Sequence, residues 1–95
     1  MNSSVDSNTL VIAEGITSKE DFYAEMKRLL KLADWFGNNL DALNDALFGG
    51  CGEIDPRGKT FVWKSHVKAR ENLGSNYFDK ILEIFKDNEK AVELM

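Results

Sequence analysis

Each run of this chain that is able to form a strand is separated from the next by two segments of helical pattern. Thr9-Leu10-Val11-Ile12-Ala13 is a short apolar run bounded by Glu14-Gly15, and it reads as a buried strand followed by a turn. Thr60-Phe61-Val62-Trp63 is rich in β-formers and reads as a second buried strand. Ala91 to Met95 is a short third candidate. Ser18-Lys19-Glu20-Asp21 has the form of a capping box with Asp in place of Glu. Phe22, Met26, Leu29, Leu30 and Ala33 keep helical spacing behind it, so a helix is expected from about Ser18 to Leu32. Ser65 is placed to cap a short helix from about His66 to Leu73. Gly74-Ser75 then breaks the chain before the stripe of Phe78, Ile81, Leu82 and Phe85, which predicts a helix from about Asn76 to Asn88. Helical connections between buried strands imply an α/β fold: a three-stranded parallel sheet packed with helices.

The segment from Trp35 to Gly50 organises the rest. It reads as a glycine turn at Gly37, an asparagine cap at Asn38 or Asn39, a helix of ten residues or fewer, and a stop at Gly49-Gly50. Leu40, Leu43 and Leu47 recur at i, i+3 and i+7 and face a core. At 100° per residue, Asp41, Asp45 and Phe48 share the opposite side, with Asn44 beside them. Asp41 suits the positive end of the helix dipole. Asp45 lies near the other end, where an acid is disfavoured, and repels Asp41 by roughly 0.2–0.5 kcal/mol in a bare helix. No lysine or arginine lies within a turn. Such pairs commonly form a solvated acidic face. Phe48 argues against that bland reading, since it leaves a ring in water unless a partner covers it.

The charge distribution points to the same stretch. Residues 1–33 carry four bases and five acids, residues 34–56 five acids and no base, and residues 57–95 eight bases and six acids. Such an acidic field repels nucleic acid and attracts a basic partner. Ninety-five residues with 43% apolar content and one proline fit a single folded domain, here residues 9–95. Residues 1–8, polar and serine-rich, are expected to be a disordered tail or an expression remnant. One cysteine, no signal peptide and no apolar run of membrane length make a reducing cytoplasm the simplest expectation.

Enzyme chemistry finds little support. Cys51 has no activating partner near it in sequence, and reads as a plain small thiol in a glycine-rich loop. His66 is the sole histidine, flanked by Lys64 and Lys68 with no acid beside it. Cys51, His66 and the aspartates show no ligand spacing, so neither a metal nor another cofactor is expected. Asp41 and Asp45 as an acid–base pair lack a nucleophile motif or a phosphate-cradling loop to work with. The chain is therefore expected not to be an enzyme.

The run Trp35-Phe36-Gly37-Asn38-Asn39-Leu40-Asp41-Ala42-Leu43-Asn44-Asp45 resembles the signature of the barstar family, intracellular inhibitors of barnase-type bacterial ribonucleases. The pattern is aromatic, aromatic, glycine, any, asparagine, leucine, aspartate, any, leucine, any, aspartate, and every position matches. Weaker similarity extends over most of residues 9–95, including Val62-Trp63 and Ile81 to Phe85. The resemblance implies a barstar-like three-stranded parallel sheet with helices. It implies that Asp45 enters the phosphate-binding pocket of a small secreted guanyl-specific ribonuclease, with Asp41 pairing with a basic group on the rim. Trp35 takes the place of an aromatic residue that packs over the catalytic histidine. Asn39, Leu40 and Gly49 fall at contact positions, and Asp87 at an acidic position on the last helix. Asn44 stands where the family often has tryptophan, and Gly50 where an aromatic occurs, so partner specificity is expected to differ. The expected function is inhibition of such a ribonuclease by an acidic helix, in a one-to-one complex with a protein that is monomeric when free. The alternative is an interaction or toxin-immunity module that turns the same helix toward a different basic protein.

Overall fold

A computed structural model describes residues 9–33, 36–49 and 52–95. The expectations for the tail at 1–8, and for Trp35, Gly50 and Cys51, lie outside the described residues. Seven elements follow in order: β1 (Thr9–Ile12), α1 (Lys19–Leu30), α2 (Leu40–Phe48), β2 (Thr60–Trp63), α3 (His66–Leu73), α4 (Ser75–Asp87) and β3 (Ala91–Leu94). The strands form one sheet in the order β1-β2-β3, and both pairings are parallel. The α/β class, the parallel sheet and the alternation of single strands with helix pairs are as the sequence implies. No helix among the described residues is long and apolar enough to cross a membrane.

Register decides which side chains meet the helices. Leu10, Phe61 and Val92 lie abreast, as do Ile12, Trp63 and Leu94. Ile12, Phe61 and Trp63 join the buried residues of all four helices in one cluster, with Leu10 and Val92 packed against it. Val11 and Glu93 point to the other side and are exposed. Only β2 is buried along most of its length. β1 is thus not the fully buried strand its apolar run predicts, because the helices cover one face of the sheet and no described layer covers the other.

Trp63 anchors the core. Its ring stacks on Phe22 of α1 at 5.2 Å and lies 4.8 Å from Phe78 of α4. Phe61 meets Phe85 edge-on at 4.9 Å. Such pairs add about 0.5–1.5 kcal/mol each beyond area burial. They offset the indole N–H of Trp63, which is buried without an acceptor among the described residues at a cost of roughly 1–3 kcal/mol.

The helix ends differ from expectation in instructive ways. Ser18 caps α1 through its hydroxyl, which accepts from the Asp21 N–H at 3.1 Å. The Asp21 carboxylate interacts only weakly with the backbone N–H and hydroxyl of Ser18, the contact a capping box would have. Its main bonds are one residue earlier, where it accepts from the N–H and hydroxyl of Thr17. α1 ends at Leu30 because Lys31 turns left-handed, φ 51°, two residues before the expected stop. Ser65 does not cap α3. Its backbone is left-handed and its hydroxyl donates to Glu14 Oε1 at 2.8 Å, across 51 residues of sequence.

Candidate partner-binding surface

The presentation of α2 begins with its caps. Asn39 is extended, and its Oδ1 accepts from the Ala42 N–H at 2.8 Å, which fixes the first turn. At the far end Gly49 adopts φ 117°, ψ 160° while its N–H still donates to the Asp45 carbonyl. This is not the left-handed helical geometry expected of a glycine stop. It is the mirror-extended region, which only glycine enters without strain. Leu43, Ala46 and Leu47 are buried, and Leu40 is half-buried against the core. Their stripe forces Asp41, Asn44, Asp45 and Phe48 outward, and all four are exposed. Neither the Asp41 nor the Asp45 carboxylate has a hydrogen-bond or ion-pair partner among the described residues.

Tertiary contacts extend this face. Asp87, the last residue of α4, is exposed and lines an open cleft of about 260 Å³ with Phe48, Arg57, Asn88, Glu89 and Lys90. Asn44 is not free to stand in for the missing tryptophan. Its Oδ1 accepts from Asn88 Nδ2 at 2.8 Å, and the same amide donates to the Ile84 carbonyl at 2.9 Å. The C-cap of α4 is thereby tied to the exposed side of α2. Asp41, Asn44, Asp45 and Phe48 are exposed along α2, with Asn39 and Leu40 at its start and Gly49 at its end, and Phe48 and Asp87 line one cleft. Trp35 lies outside the described residues.

Two residues of this surface escape sequence reasoning. Asn88 sits at the end of a helical stripe, where an asparagine cap is unremarkable, and nothing local says that it reaches across 44 residues to Asn44. Arg57 arrives from the loop after α2. Asp55 Oδ1 accepts from the Arg57 N–H at 3.0 Å, and the guanidinium grips the carboxylate through Nε and Nη2 at 2.9–3.1 Å. The guanidinium holds the Asp55 carboxyl down at about 2. Arg57 therefore stands beside Phe48 and Gly49 with its charge already answered. The loop itself is fastened to α1: Leu32 bridges Gly52, and the N–H groups of Glu53 and Ile54 donate to the carbonyls of Lys31 and Leu30. A Cβ at Gly52 would lie 2.3 Å from the Leu30 carbonyl oxygen, so that approach requires glycine.

The N–H and Nδ1 of His66 donate to the Met95 carbonyl at 3.2 and 2.9 Å, far along the chain from α2. A larger cleft of about 450 Å³ opens between the Glu14–Thr17 turn and α3, and no residue of α2 lines it.

No curated protein matches the chain. Residues 8–94 match the family model for Barstar (barnase inhibitor). The match runs through every element just described and covers α2, the loop after it and the end of α4. The chain therefore belongs to the Barstar (barnase inhibitor) family.

Proposed function

We propose that the protein inhibits a small basic ribonuclease by presenting the exposed face of α2 to its active site. The observation that carries this reading is the pair Asp41 and Asp45, held outward on a capped helix with no neutralising partner among the described residues. A ribonuclease cleft is built to hold a phosphodiester anion and is lined with cationic groups. A carboxylate on a rigid helix can substitute for that anion, and the surrounding acidity speeds encounter. Fixing both acids before binding removes an ordering cost. Asp45 is the residue assigned to the phosphate site, Asp41 to its rim, and Asp87 to a neighbouring base. The test is RNA cleavage by barnase-type ribonucleases with and without the protein. Stoichiometric inhibition that disappears in Asp45→Ala supports the reading, and no inhibition of any such enzyme removes it.

Asn44 favours keeping a second reading. It bonds to Asn88, where the family often has a tryptophan free to touch the partner. A module that binds another basic protein through the same face would leave RNA cleavage unaffected. Capture of a basic partner without nuclease activity, dependent on Asp45, would support that alternative.

A further inference from the structure

Phe48 is the most exposed large apolar side chain among the described residues, at 76%, and the sole aromatic among those exposed. Its position is set by the helix, because the buried stripe of Leu43, Ala46 and Leu47 turns it outward. It follows Asp45 by three residues, which places the two Cβ atoms about 5–6 Å apart on one face. The spacing is fixed before any partner arrives. Asn39 caps the start of the helix, and Asn44, between Asp41 and Asp45 on that face, is bonded to Asn88 of the α4 cap.

Resting on the ribonuclease reading above, we propose that Phe48 enters the partner's nucleobase-binding pocket while Asp45 occupies the adjoining phosphate site. The pair imitates one nucleotide, with a flat π-surface for the base and a carboxylate for the phosphate. A nuclease site holds base and phosphate within one ribose of each other, so one partner cleft offers both pockets at helical i, i+3 spacing. Base pockets recognise the faces of rings by stacking, which a phenyl group also supplies. Charge selects the same partner, since Asp41 and Asp45 have no neutralising group among the described residues and a phosphate site is cationic. The requirement on the partner is specific: a basic pocket with an apolar, ring-sized slot beside it.

The experiment is competition on a barnase-type ribonuclease that the protein binds. Guanosine carries base and ribose but no phosphate, and inorganic phosphate carries the converse. Millimolar guanosine is expected to raise the apparent Kd of the wild-type complex about threefold or more by mass action. In Phe48→Ala that guanosine effect disappears, while competition by phosphate persists. Phe48→Trp keeps both. Equal sensitivity of wild type and Phe48→Ala to guanosine, or insensitivity of both, overturns the proposal and leaves the inhibitor reading standing. Absence of binding to any such ribonuclease overturns both. Because the side chain is exposed, circular dichroism of Phe48→Ala is expected to match wild type.

Discussion

Helices α1 and α2 are built from the same rules and treat their charges in opposite ways. In α1 the acids Glu20 and Asp21 lie in the first turn and the bases Lys27 and Arg28 in the last, as the dipole prefers. Glu25, in its interior, is spent on the protein itself. It accepts from the Ala13 N–H at 2.9 Å and from the Arg28 guanidinium at 2.7–2.9 Å. In α2 only Asp41 obeys the dipole, the last turn has no base, and the Asp45 carboxylate has no hydrogen-bond or ion-pair partner among the described residues. The difference separates an acid spent on contacts within the fold from one that, on the proposed function, is kept for a partner.

The largest expected effect breaks the comparison at its centre. Asp45→Ala should weaken binding to a cognate ribonuclease by at least about 2 kcal/mol, roughly thirtyfold in Kd. Glu25→Ala should leave Kd within about twofold. Calorimetry on both variants checks this. Similar losses from the two acids would mean that α2 is no more of an interface than α1.

In stability the order reverses. Glu25→Ala strands the Ala13 N–H and releases Arg28, and should cost about 1–2 kcal/mol, with the exposed arm of Arg28 contributing least. The Arg28 hydrogen bonds, chiefly, and the Ala13 N–H hold the Glu25 carboxyl below its ordinary range. A depressed carboxyl stabilises the folded state above its unfolded value near 4.3, and that contribution fades as pH falls through the lower folded value. Urea unfolding should therefore show wild type ahead of Glu25→Gln at pH 7, with the gap narrowing below about pH 4. A gap independent of pH would mean that the Glu25 charge does not matter.

What could be read from the chain follows the range of the interactions involved. The bounds of β2 and α3, and the shared face of Asp41, Asp45 and Phe48, rest on local periodicity and turn residues, and these survive folding intact. The apolar run of β1 was legible as a strand. Its half-exposed state was not, because burial depends on which face of the sheet the helices choose. Ser65 shows how a long contact defeats a local rule: a hydroxyl suited to capping finds Glu14 instead. At the candidate surface the acids were legible, whereas Asn88 and Arg57 arrive through tertiary contacts for which the sequence carries no period.

A smaller effect sharpens the comparison between the helices by asking whether α2 needs its tether. Removing the Asn88 amide deletes its exposed bond to Asn44 and its part-buried bond to the Ile84 carbonyl. Asn88→Ala should cost about 1 kcal/mol of stability. It should also slow or weaken partner binding about threefold, because α2 and Asp87 are no longer presented in a fixed relation. Hydrogen exchange in α2 would rise while α1 stays unchanged. A loss of stability with unaltered affinity would make the Asn44–Asn88 bond purely structural.

The smallest expected effect has the opposite sign. Asp45 repels Asp41 across one turn and faces the negative end of its own helix dipole, and no described cation offsets either term. Asp45→Asn removes both penalties while keeping the size and polarity of the side chain. Thermal unfolding should then show a gain of about 0.3–1 kcal/mol, a shift of a few degrees for a domain of this length. The same variant loses affinity for the ribonuclease. Stability and binding would thus move in opposite directions at Asp45, whereas Glu25→Gln lowers stability and leaves binding alone. That contrast is what a residue kept for a partner predicts. If Asp45→Asn lowered stability instead, the carboxylate would be serving the fold, and the distinction drawn between the two helices would fail.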